Sequence, residues 1–139
     1  MFHPQSMKTL IHIDDDAVYR LIVQKTLKGI VHVESFVSGE AFLADRTQKD
    51  IGAFLVDIYL GPDLMNGEEL LGMFKKENAY SHIPIIALSS TACSSSRRSF
   101  LYSIGFSEVI CKPFQKEAFI QEIRKAMNQD WMAFCIQID

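Results

Sequence analysis

The sequence predicts an α/β domain in which one parallel sheet of five strands carries helices on both faces. Three observations predict it. Strand-like and helix-like segments alternate five times between residues 8 and 128. The strand-like runs are short and mostly apolar throughout, rather than alternating apolar with polar, as expected of strands buried on both faces. The run Ala53-Phe54-Leu55-Val56 is the clearest, and it ends in a single carboxylate, Asp57.

The elements follow in order. Residues 8 to 13 form a β-branched, mostly apolar run that ends in three acids, Asp14, Asp15 and Asp16. An acid is a good N-cap, so a helix follows from Ala17 to Lys28, closed by Gly29. Its apolar residues (Val18, Leu21, Ile22, Val23, Leu27) cover a broad face, which predicts a well-buried helix. Residues 31 to 36 read as a second strand, and Ser38-Gly39 opens a helix through about Arg46. The third strand ends at Asp57. Asn66-Gly67 opens a helix carrying Leu70, Leu71 and Phe74. Pro84 introduces a fourth strand, Ile85 to Leu88, which ends in hydroxyls, Ser89, Ser90 and Thr91. A serine run leads into a helix with Phe100, Leu101 and Ile104, stopped by Gly105. Val109-Ile110-Cys111 is a short fifth strand, followed by Lys112-Pro113-Phe114. The last helix places Phe119, Ile123 and Met127 on one face. Residues 1–7 read as a loose N-terminus, 8–128 as the domain, and 129–139 as a tail that either docks on the body or is a linker stub.

Bulk properties narrow the function. At 139 residues the chain is one domain with room for a core. Its net charge of −3 gives no nucleic-acid footprint over the chain as a whole. No apolar stretch reaches the length of a membrane span. Cys93, Cys111 and Cys135 have neither zinc spacing nor a disulfide pattern, which reads as a reducing cytosol.

The chemistry collects at one edge. In a parallel sheet the carboxyl ends of all strands converge, and open α/β sheets bind ligands there. Strand one ends in Asp14 and Asp15, strand three in Asp57, strand four in Ser89 and strand five in Lys112. Clustered carboxylates raise one another's pKa unless a cation neutralises them. An oxygen-only ligand set beside solvent suits Mg²⁺. A hydroxyl and an ammonium suit the oxygens of a phosphoryl group, and one carboxylate remains to act as nucleophile on phosphorus. Each residue also has a plainer reading: Asp14 to Asp16 as helix cap and dipole partners, in which register Asp15-Asp16 competes with Asp14-Asp15; Ser89 as a cap; Lys112 as a surface lysine. His12 reads as a satisfied core histidine and Arg97-Arg98 as a solvated helix face.

Taken together, Asp14-Asp15, Asp57, Ser89 and Lys112-Pro113-Phe114, each after a short apolar strand, resemble the receiver domain of two-component response regulators. The resemblance spans residues 8 to 128. It implies a flavodoxin-like (βα)5 doubly wound sheet in the order 2-1-3-4-5. It implies Asp57 as phosphoacceptor, Asp15 as direct Mg²⁺ ligand, Asp14 acting mainly through water, and the backbone carbonyl of Tyr59 completing the shell. Ser89 would be the switch hydroxyl. Lys112 would contact a phosphoryl oxygen, with a cis bond to Pro113. Ser90 would leave a route to the phosphoryl group, and Tyr59 and Thr91 would tune its lifetime. The implied partners are a sensor histidine kinase or histidine phosphotransfer protein, and a downstream target or second copy on the helix 4–strand 5–helix 5 face. Nucleic acid and membrane are not implied, and the setting would be cytoplasmic. The implied role is a signalling switch, not an enzyme acting on a separate substrate.

Two features depart from the family pattern. The ten positions from Asp57 to Gly67 make the loop from Gly61 to Met65 longer than usual. Val109 stands where the family's switch aromatic usually lies. Either transmission uses another residue, such as Tyr102 or Phe106, or the two states differ little. These features leave a pseudo-receiver, a constitutive binding or dimerisation module, as the alternative. A haloacid-dehalogenase-like phosphatase ranks last, because Tyr59 stands where its general acid is needed.

Overall fold

The computed structural model describes residues 8–45, 47, 49–59, 64–90 and 94–127. Residues 1–7, most of the long loop, Thr91, Cys93 and residues 128–139 with Cys135 lie outside the described residues. The described elements alternate without exception: β1 (Thr9–Ile13), α1 (Ala17–Leu27), β2 (His32–Phe36), α2 (Gly39–Ala44), β3 (Ile51–Asp57), α3 (Gly67–Lys76), β4 (Ile85–Ser89), α4 (Ser95–Ile104), β5 (Glu108–Cys111) and α5 (Lys116–Met127). All strand pairings are parallel, in the order β2-β1-β3-β4-β5. The predicted doubly wound, flavodoxin-like architecture is therefore the observed one.

Strand parity sorts the core into two layers, because successive side chains leave a strand on opposite faces. Ile11, Phe54, Val56, Ile85, Ala87 and Val109 face the α2–α3–α4 side, with Phe42, Phe74 and Leu101. Leu10, Ala53, Leu55, Ile86, Leu88 and Ile110 face the α1–α5 side, with Val23, Leu27, Phe119 and Ile123. This is why the runs had to be apolar throughout. The first layer centres on an aromatic cluster: Phe54 stacks on Phe74 at 4.1 Å, and Phe42 meets both edge-on. Leu64 and Met65, at the end of the long loop, pack against this layer.

The helix starts are chemically specified. Asp16 caps α1, its Oδ1 accepting from the amides of Val18 and Tyr19. Asn66 and Glu69 form a capping box on α3. Gly105 ends α4 at φ +124°, a conformation L side chains rarely adopt.

Three expectations need correction. α1 is not well buried: Val23 and Leu27 are, but Val18 and Leu21 are 63 % and 54 % exposed. Its apolar residues spread too widely for one sheet to cover, and only its inward stripe meets the α1–α5 layer. Cys111 is disulfide-bonded, a pairing that its spacing in the chain did not suggest. Arg97 is also no free surface charge, since it pairs with Glu68 of α3 at 2.8 Å.

Candidate functional site

The carboxyl edge of the sheet carries a compact charged cluster. Asp57 is the last residue of β3, next to β1 and β4 in the sheet. Asp14 follows β1 directly, and its amide donates to the Phe36 carbonyl at 3.0 Å, which extends the ladder past Ile13. By strand parity Asp14 and Asp57 both lie on the α1–α5 side of the sheet. Lys112 follows β5, its amide donating to the Ser89 carbonyl at 2.8 Å, and the peptide bond to Pro113 is cis. The Lys112 ammonium bonds Asp14 Oδ2 at 3.0 Å and Asp57 Oδ2 at 3.2 Å. Three strands thus deliver two acids and their shared counter-charge to one point.

Burial makes these charges consequential. Asp14 is fully buried and Asp57 is 6 % exposed. The Lys112 side chain is 6 % exposed. Burial, and then the neighbouring charge of Asp14, push the Asp57 carboxyl up to about 6, against the pull of Lys112 and the Tyr59 amide. Burial acts the same way on Asp14, but His12, the Asp16 amide and Lys112 outweigh it and hold that carboxyl well below the usual range. Lys112 is raised despite its burial by the two carboxylates beside it. One lysine thus serves two buried carboxylates, and Asp57 is the harder of the two to ionise.

The third acid completes a metal-compatible set. Asp15 is exposed at the rim, and one carboxylate oxygen each from Asp14, Asp15 and Asp57 lie within 4.8 Å of one another. Hard oxygen donors, one of them open to water, suit Mg²⁺. The geometry fits such an ion, because two buried carboxylates share a single lysine ammonium and an exposed third carboxylate lies beside them. Asp57 Oδ1 accepts from the Tyr59 amide at 3.2 Å, which curls the chain after β3 and leaves the Tyr59 side chain 66 % exposed. Ser89, at the end of β4, is buried, and Ser90 beyond it is exposed. Thr91 falls outside the described residues.

The structure also shows three contacts to the site that no pattern in the chain announced. Arg20 Nη1 donates to the Asp14 carbonyl oxygen at 2.8 Å. His12, fully buried, places Nε2 3.4 Å from Asp14 Oδ2, and neither ring nitrogen has a well-formed hydrogen bond among the described residues. It is a core histidine, as expected, but not a satisfied one, and the acid beside it is already engaged by Lys112. Burial lowers its pKa. The Tyr19 ring of α1 lies under the Lys112 ammonium, 4.2 Å from ring centroid to Nζ. The available signal was Tyr19's place one turn after the acids, but an aromatic on a helix face ordinarily reads as core.

At the proposed switch position, Val109 is buried on the α2–α3–α4 face of β5. Of the two candidate substitutes, Phe106 is also buried, whereas Tyr102 is 40 % exposed and donates its hydroxyl to Glu108 of β5 at 3.1 Å.

Comparison with known proteins agrees with this geometry. The family model for the response regulator receiver domain matches residues 10–124. The chain is 28 % identical over 121 residues to the heme response regulator HssR of Staphylococcus epidermidis, covering 86 % of this chain and 51 % of that protein. It thus spans about half the length of that curated relative. Among solved structures, chemotaxis protein CheY4 of Vibrio cholerae superposes with a TM-score of 0.74 at 23 % identity, covering 86 % of this chain and 98 % of that one. A CheY-like response regulator receiver domain protein of Methanospirillum hungatei gives 0.75 at 23 %, covering 91 % and 98 %.

Proposed function

The chain belongs to the response regulator receiver family, and from that premise we propose that it is a phosphorylation-controlled switch whose acceptor is Asp57. The observation that carries the reading is the meeting of Asp57, Asp14 and Lys112, from three separate strands, within hydrogen-bond reach at the carboxyl edge. A buried acid pair sharing one lysine costs stability unless it serves a ligand.

In this reading a carboxylate oxygen of Asp57 forms a bond to phosphorus as the bond from phosphorus to the donor's imidazole nitrogen breaks. The donor nitrogen keeps the electron pair and is reprotonated. Lys112 then meets a phosphoryl oxygen in place of the carboxylate oxygen it now holds, and the Ser89 hydroxyl donates to another. Asp14, Asp15, Asp57 and the Tyr59 backbone carbonyl would hold Mg²⁺. Bound there, the ion would neutralise charge on the carboxylates and the phosphoryl oxygens. What this chain's residues contribute is alignment and charge, not acid–base chemistry on a separate substrate. The donor is a phosphohistidine on a sensor kinase or a phosphotransfer protein. The output partner, or a second copy of the chain, binds the α4–β5–α5 face. The setting this reading implies is the cytoplasm. No helix among the described residues is long and apolar enough to cross a membrane.

Val109 favours a second reading, in which the fold serves as a constitutive binding module, because a valine has no ring to move between inner and outer positions. One experiment separates the two. Incubation with acetyl phosphate and Mg²⁺, read by intact mass, should add one phosphoryl group that Asp57→Asn and EDTA both abolish. If neither acetyl phosphate nor a phosphohistidine donor yields an adduct, and Mg²⁺ does not bind, the binding-module reading replaces this one.

A further inference from the structure

Tyr19 meets the site through Lys112, and several contacts fix its placement. The helix cap at Asp16 accepts from the Tyr19 amide, at 3.4 Å, which sets where α1 begins its first turn. The ring meets Phe114 edge-on at 6.0 Å and 72°. Phe114 in turn stacks on Phe119 of α5, at 3.9 Å and 10°. The ladder Phe119–Phe114–Tyr19 therefore starts in the α1–α5 core and ends under the Lys112 ammonium, 4.2 Å from the ring centroid.

Lys112 needs such a support. Its ammonium is a compact charge on four flexible methylenes. Two of its three donors point at Asp14 and Asp57. If Asp57 becomes an acyl phosphate, the charge that holds one of those donors is redistributed over the phosphoryl oxygens. A ring face at this distance from a largely buried ammonium attracts the cation without competing for its hydrogen-bond donors.

We propose that Tyr19 is a positioning residue: its ring face fixes the Lys112 ammonium at the carboxyl edge so that Lys112 is already in place when the phosphoryl group arrives. The inference rests on the function proposed above and adds a residue to it. The π face matters and the hydroxyl does not.

The test uses the whole chain with Tyr19→Phe, which keeps the face, and Tyr19→Leu, which keeps apolar bulk without a ring. Each is also made in a Lys112→Met background. Phosphorylation by acetyl phosphate at saturating Mg²⁺ is followed by mass. Lysines labelled with ¹³C at the ε carbon report the ring current on Lys112, assigned by Lys112→Met. Tyr19→Phe should stay within about twofold of wild type, and Tyr19→Leu should slow the maximal rate about three- to tenfold. The shifted Lys112 ε-proton signal should survive in Tyr19→Phe and move to the ordinary lysine position in Tyr19→Leu. In the Lys112→Met background the two Tyr19 variants should not differ. Equal rates for Phe and Leu variants, or a Leu deficit that persists without Lys112, would overturn the inference while leaving the proposed function standing. A wild-type chain that accepts no phosphoryl group overturns both, even if the ring-current signal is present.

Discussion

Replacing Asp57 by Asn should make the metal-free protein more stable, even though it removes a buried hydrogen-bonded charge. Asp57 is nearly buried, and its carboxyl is raised from 3.8 to about 6 by burial and by Asp14. A folded-state pKa above the unfolded one means that the fold binds the proton more tightly. Its favourable contribution is then fully present below about pH 3.8 and is lost as pH rises through about 6. At pH 7 the ionised carboxylate thus costs the fold about 3 kcal/mol relative to the unfolded chain, at about 1.4 kcal/mol per pKa unit. The attraction of Lys112 at 3.2 Å is already contained in that net shift. Asn keeps the shape and removes the charge, so Asp57→Asn should gain up to about 3 kcal/mol at pH 7, or about 10 °C in Tm for a domain of this size. Urea or thermal melts in EDTA at pH 7 and pH 4.5 measure it. At pH 4.5 the difference should shrink to about 1 kcal/mol, because Asp57 is then protonated in the fold. Mg²⁺ at pH 7 should stabilise wild type more than the variant and narrow the gap. An Asp57→Asn protein no more stable than wild type in EDTA at pH 7 would refute the reasoning, as would a gain independent of pH.

Two further outcomes follow from the same geometry. Lys112→Met leaves Asp14 and Asp57 buried without their shared counter-charge, so it should cost about 3 kcal/mol in urea melts at pH 7 and less at acid pH; an unchanged midpoint would mean that the carboxylates repel less than argued. Gly67→Ala would place a Cβ 2.9 Å from both the Asp57 carbonyl oxygen and Ile58 Cα. Something must shift, and the atoms in the way are the backbone of Asp57 and Ile58, so about 1–3 kcal/mol of stability should be lost and phosphoryl transfer to Asp57, if it is the acceptor proposed, should slow, checked by melts and by the mass assay.

What the chain determines locally, it states clearly. A strand buried on both faces must be apolar at every position, so the runs through Leu10-Ile11, Ala53–Val56 and Ile85–Leu88 announced a parallel sheet without any structure. The caps Asp16, Ser38 and Asn66 sit where short-range hydrogen bonding requires them, and the helices start there. The convergence of Asp14, Asp57 and Lys112 follows from the parallel arrangement alone, because every strand then ends at the same edge. Other features depend on which element lies against which, and only the tertiary structure decided them. The apolar residues of α1 do not say which of them meet the sheet, so Val18 and Leu21 looked like core and are exposed. Nothing near His12 in the chain indicates that its ring would be left beside an acid already claimed by a lysine 98 positions away. Tyr19 reads as an ordinary helix aromatic until folding brings Lys112 over its face. Local patterns encode what a segment can be; the pKa of Asp57 and the seat of Lys112 depend on charges and rings that the chain brings together only when the sheet closes.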